Sequence, residues 1–140
     1  MEMAQLTLVK SIFIVNVENR QDNDRIAIGV SLKNNGEFLD DGRKAHYIQR
    51  FRTGSPENSP FFLDVEFGAL FFLDPPPLPL ERPYFVNRAF PRIVFPYMRE
   101  HVAETTRKGG FTPLIINQNL FDDYDKDQAE AESGENKWVH

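Results

Sequence analysis

The stretch 61–73 constrains this chain more than any other. Phe61, Leu63, Val65, Phe67, Ala69, Phe71 and Leu73 fall at every second position, the period of a β-strand with one apolar face. Asp64, Glu66 and Asp74 interrupt the run, so it is no membrane span, and a sheet with one buried and one wet face follows. Pro75-Pro76-Pro77-Leu78-Pro79 ends the strand, because proline has no amide hydrogen for a ladder and favours an extended conformation. The prolines read as a stiff spacer between layers.

Three further strands are expected. Residues 6–17 are apolar on both faces around Ile12 to Val15, as for a central strand. Residues 25–33 alternate, with Ile26, Ile28, Val30 and Leu32 on one side. Residues 45–53 place Ala45, Tyr47 and Phe51 opposite His46, Arg50 and Arg52, with Ile48 as the exception. The short links Asn34-Asn35-Gly36 and 53–58 suit turns of an antiparallel meander, since parallel crossovers need a dozen or more residues.

Over 84–108 the period changes to that of a helix. Phe90, Val94, Tyr97, Met98, His101 and Val102 lie opposite Arg88, Arg92, Arg99 and Arg107. Pro91 and Pro96 inside this pattern predict a late start or a kink, and Gly109-Gly110 predicts the end. A second, short helix is expected from about Asn119 to Ala131, its acidic first turn favoured by the helix dipole. The fold class is therefore α+β: a four-stranded antiparallel sheet on a long kinked helix, with a short C-terminal helix. Residues 1–132 are read as one domain and 133–140 as a flexible acidic tail.

Charge and chemistry exclude several functions. Residues 1–120 hold 14 acidic and 14 basic side chains, and 121–140 hold 7 and 2, so the excess acidity belongs to the tail. A neutral body offers no footprint for phosphate backbones, and no nucleic-acid partner is expected. The absence of cysteine excludes disulfides and thiolate metal sites. Asp123-x-Asp125-x-Asp127 fails as a calcium loop, because Gln128 and Gly134 stand where glycine and a bidentate glutamate are required. No phosphate loop, nucleophile elbow or zinc-helix motif is present. Neither a catalytic residue nor a cofactor or metal is expected. Asp64 and Glu66 share a strand face with basic neighbours, and cross-strand pairing with Arg50 or Arg52 is their expected use. With no signal segment and no apolar span visible, the expected location is cytoplasmic. Many of the 13 Phe and 4 Tyr lie off the evident core face, and fill either the core or an oligomer interface, or else a groove for extended apolar segments.

In order along the chain stand Phe95-Pro96-Tyr97-Met98-Arg99-Glu100, Lys108-Gly109-Gly110-Phe111-Thr112-Pro113-Leu114 and Phe121-Asp122. Together they resemble the C-terminal half of the SecB export chaperones, and Asp64-Val65-Glu66-Phe67-Gly68-Ala69-Leu70-Phe71 is similar to a strand of that family. The resemblance implies a homotetramer, a dimer of dimers, that holds unfolded or preprotein clients without ATP and delivers them to the SecA translocase motor. It implies a client groove at Ile115, Ile116, Leu120, Phe121 and Tyr124. It also implies a motor-docking face at Asp64, to which strand alternation adds Glu66, and an oligomer interface at Phe90, Val94, Tyr97, Met98 and His101. Where the family's first strand carries acids this chain has Ser11 and Val15, which leaves open an alternative, a SecB-like chaperone dedicated to another client such as an antitoxin that does not dock the motor. An α+β enzyme is the remaining class.

Overall fold

The computed structural model describes residues 1–16, 29–54, 57 and 59–117. Four strands, β1 (Glu2–Val15), β2 (Val30–Leu39), β3 (Lys44–Thr53) and β4 (Phe61–Phe72), form one antiparallel sheet in the order β1-β4-β3-β2. The consecutive strands β2, β3 and β4 make the expected meander. After β4 the chain forms a 3-10 turn (Pro79–Glu81), a single helical turn α1 (Arg82–Tyr84), a π turn (Phe85–Ala89) and the long helix α2 (Phe90–Lys108). The fold is thus α+β, and α2 covers one face of the sheet. The expected short C-terminal helix, and the expected strand residues 25–28, lie outside the described residues.

The period-two reading of β4 is met in full. Phe61, Leu63, Val65, Phe67, Ala69, Phe71 and Leu73 are all buried, together with Ala45, Tyr47 and Phe51 from β3. From the helix come Phe90, Val94, Phe95, Met98 and Val102, four or fewer positions apart, so that one stripe of α2 meets the odd face of β4. Phe71 and Phe90 stack with ring centroids 4.1 Å apart. Ile48 proves to keep the alternation of β3, for it points outward at 41% exposure while Gln49 beside it is fully buried.

Two expectations are corrected. The strand 6–17 was expected at the centre of the sheet, but β1 is an edge strand, and its outer residues Ile12 and Ile14 remain 37% and 49% exposed. The central strand is β4, whose even residues Phe62 and Asp64 are buried as well. The second correction concerns Asn34-Asn35-Gly36, which lies within β2 and pairs with Gln49, Ile48 and Tyr47. The hairpin turn is instead Asp40–Gly42, where Asp40, Asp41 and Gly42 take φ of 53°, 54° and 89°. Asp and Gly tolerate this left-handed backbone best, and such an Asp-Gly step is a hairpin signal in its own right.

The Asn-Gly pair has a different task. In the π turn the amide of Phe90 bonds to the carbonyl of Phe85, five residues back, so the next bond in that register would run from residue 91 to Val86. Pro91 has no hydrogen to give, and Asn34 Nδ2 donates to the Val86 carbonyl oxygen at 3.0 Å. Gly36, on the same side of β2, leaves the space that the Val86 side chain occupies; a Cβ there would stand 2.6 Å from Val86 Cγ2. Gly36→Ala is therefore expected to lower stability by about 1 kcal/mol through overpacking, read as a lower urea midpoint at unchanged m-value.

Candidate functional site

The sequence-derived site residues divide among three places. On the outer side of α2, Phe95, Pro96, Arg99, Glu100 and Ala103 line a cleft of about 370 Å³ whose far wall is Ile115. Positions 95, 99 and 103 follow one ridge of the helix at intervals of four, and the small Ala103 leaves the cleft open where a larger side chain would fill it. The floor is apolar, and Arg99 and Glu100 set opposite charges at its rim.

The wall is held by a buried hydroxyl. Thr106 is fully buried, and its Oγ1 donates to the Val102 carbonyl at 2.9 Å while accepting the Leu114 amide at 2.8 Å. Gly110, at φ 87°, turns the chain out of the helix. Phe111 then packs against Phe61 and Phe13, with centroids 4.8 and 6.3 Å away. This fixes residues 111–117 alongside α2. Ile116 turns inward and is 3% exposed, whereas Ile115 faces out at 55%. Of the two expected groove isoleucines, Ile115 lines the cleft and Ile116 belongs to the core. Leu120, Phe121 and Tyr124 lie outside the described residues.

The second place is the outer sheet face, expected to present Asp64 and Glu66. Asp64 is only 2% exposed, because three cations close over it. Arg50 forks onto it, with Nε 2.9 Å from Oδ1 and Nη2 2.7 Å from Oδ2; Lys10 Nζ lies 2.9 Å and Arg52 Nε 3.7 Å from Oδ2. The Arg50 hydrogen bonds foremost, then those from Lys10, hold the carboxyl well below the usual carboxylate range against the opposing effect of burial. Cross-strand pairing is what Asp64 does here. It is not presented as a surface acid; Glu66, half-buried between Lys10 and Arg50 in the ladder, is the more accessible of the two.

A depressed folded-state pKa means that the unfolded chain takes up the proton first as pH falls. The cluster's contribution is thus whole above the ordinary aspartate pKa of about 4 and declines below it. Asp64→Asn is expected to lower the urea midpoint at pH 7, and its gap from the parent protein to narrow progressively as pH falls below about 4. A gap that stayed constant with pH would show that folding does not lower the pKa of Asp64.

The third place is the expected oligomer interface. Phe90, Val94 and Met98 are fully buried against the chain's own sheet, so their side chains have no surface left for a second copy. Tyr97 is 44% exposed and is the residue of that set that faces outward. His101 ties α2 to the edge strand, its Nε2 2.8 Å from Ser11 Oγ and its ring edge-on to Phe67. Burial, and then the charge of Lys108, lower its pKa and keep the ring neutral at pH 7.

Sequence reasoning missed Thr106, Phe95, Ala103 and Lys10. A threonine in the apolar stripe of a helix, four residues after Val102, was the available signal for the first. Among the described residues no group of three or more potential metal ligands is present, and no helix is long and apolar enough to cross a membrane.

The profile of a family described as "Preprotein translocase subunit SecB" matches residues 14–131. The chain is similar to "Protein-export protein SecB" of Dinoroseobacter shibae, 36% identical over 58 residues that cover 41% of this chain and 33% of that protein. It is also similar to "Protein-export protein SecB 1" of Gluconobacter oxydans, 33% identical over 63 residues that cover 45% and 36%. The match thus spans about a third of the length of these curated relatives. Among solved structures, a Mycobacterium tuberculosis SecB-like chaperone in complex with a ChAD peptide from an antitoxin superposes with a TM-score of 0.63. It covers 83% of this chain and 88% of its own at 16% identity, a likeness of fold.

Proposed function

Because the chain belongs to the SecB family, we propose that it is an ATP-independent holdase that binds unfolded preproteins and keeps them competent for translocation. The observation that carries this reading is the cleft between α2 and residues 111–117. An apolar floor of Phe95, Pro96 and Ala103 facing Ile115, with a cation and an anion at the rim, accepts an apolar side chain without selecting its neighbours. Leu120, Phe121 and Tyr124 are proposed as further client contacts.

The test is Ile115→Asp. Ile115 is half-exposed, so the fold tolerates the change, while an apolar client side chain loses burial worth about 1.5–3 kcal/mol. The affinity for an unfolded client is expected to fall about tenfold or more, measured by anisotropy of a labelled, permanently unfolded protein. Unchanged affinity would remove the cleft from the account.

The homotetramer expected of this family is proposed here too, supported by the exposed Tyr97, Tyr84 and Leu80 on the helical layer. Light scattering that gave a monomer at micromolar concentration would contradict it. The burial of Asp64 beneath Lys10, Arg50 and Arg52 favours a second reading, a chaperone dedicated to one client such as an antitoxin, without docking to the SecA motor. Calorimetry with purified motor protein at low salt separates the two. Binding supports delivery to the motor, and no heat with intact client holding supports the dedicated chaperone.

A further inference from the structure

The outer face of the sheet has no layer over it among the described residues, and its charge is arranged unevenly. Lys10, Arg50 and Arg52 converge on Asp64, whose single negative charge is buried, and Glu66 lies half-buried between Lys10 and Arg50, so the three cations outnumber the two carboxylates and leave positive charge at the surface. Their side chains are 39%, 35% and 46% exposed against 3% for Asp64. In the ladder Lys33 stands beside Arg50 and is exposed, which extends the cationic row toward β2. Arg52 also lies over the Phe62 ring, 5.7 Å from its centroid, and is thereby held flat on the face.

Two residues along the same strands the surface sinks. Gly68 has no side chain, and Thr7, Val9, His46, Ile48 and Leu70 surround a depression of about 330 Å³ over it. A Cβ on Gly68 would come within 3.1 Å of Val9 Cγ2, so the depression exists because this position is glycine. From Ile48 to Arg52 along β3 is about 13 Å, the span of four extended residues.

We propose that this face docks an acidic peptide segment of a partner protein, its carboxylates on Lys33 and Arg52 and one aliphatic side chain in the depression over Gly68. Charge complementarity selects the occupant: Lys10, Lys33, Arg50 and Arg52 outnumber the two carboxylates set among them, Asp64 enclosed by three cations and Glu66 half-buried between Lys10 and Arg50. The site lies on the opposite side of the sheet from the client cleft, so each is tested without the other.

The experiment is fluorescence anisotropy with the full chain at low salt. Three labelled dodecapeptides serve as probes: glutamate and serine around a central leucine, the same peptide with lysine for glutamate, and the same acidic peptide with serine for leucine. The acidic leucine peptide is expected to bind most tightly, to weaken as salt is raised, and to lose roughly tenfold in affinity in Lys33→Glu/Arg52→Glu. Ile48→Asp should remove the advantage of leucine over serine. Should charge reversal disturb the fold by circular dichroism, Lys33→Gln/Arg52→Gln carries the test with a smaller loss. The proposal is overturned if the acidic peptide does not bind, if the lysine peptide binds as tightly, or if neither double variant changes the affinity. It is equally overturned if the variants alter the mass of the assembly, for the face would then lie between copies of this chain.

Discussion

Phe90→Ala is expected to lower the stability of the chain by about 3–5 kcal/mol, a large share of the 5–15 kcal/mol that holds a domain folded. Phe90 is fully buried and stands at the entry of α2, where its ring stacks on Phe71 of β4 and touches the rings of Tyr47, Phe38 and Phe85. Truncation leaves a cavity between helix and sheet at the point where the π turn and Pro91 already deprive the helix of regular hydrogen bonds. Nothing local can close it. Thermal unfolding should shift down by roughly 10–15 °C. A shift below about 3 °C would mean that helix and sheet are not packed as described.

Thr106→Val should cost roughly 1–3 kcal/mol although the two side chains have nearly the same shape. Valine leaves the Leu114 amide without the acceptor it has in Thr106 Oγ1. A buried amide that loses its acceptor regains one by moving to water, and here that movement peels residues 111–117 from α2. Ile115 then no longer faces Phe95 and Ala103. Client affinity should fall together with stability, whereas Phe90→Ala below its unfolding temperature should retain more of it. Thr106→Ser, which keeps the hydroxyl, should restore most of the binding. Failure of serine to restore it would mean that the clasp is incidental to the site.

How much of this was legible in the sequence depends on how far each feature reaches along the chain. The β4 alternation and the Gly109-Gly110 stop are local patterns, and both stand in the structure. Asn34-Asn35-Gly36 misled because its turn chemistry is real but is used across the fold: Asn34 supplies the hydrogen that Pro91 lacks, and Gly36 makes room for Val86, both far away in sequence. The pairing of Asp64 with Arg50 could be read from strand alternation. Its burial could not, since that also needs Lys10, placed on the outer face by the register shift between Leu8 and Lys10 in β1. The interface residues Phe90, Val94 and Met98 were expected to face a second copy, yet a helical stripe serves one sheet as readily as another, and this chain's own β4 takes it. The cleft was half legible. Ile115 is apolar in a loop, which marks it, but Phe95 and Ala103 become cleft residues only when Thr106 brings the loop back to the helix.

The most direct test of the account is aggregation suppression. A chemically unfolded protein with no relation to this chain is diluted into buffer with and without it, and light scattering is followed in the absence of nucleotide. The account predicts that scattering is suppressed near stoichiometric ratio, that ATP makes no difference, and that Ile115→Asp abolishes much of the effect. Scattering that proceeds unchanged at excess chain, or suppression that requires ATP, would contradict it.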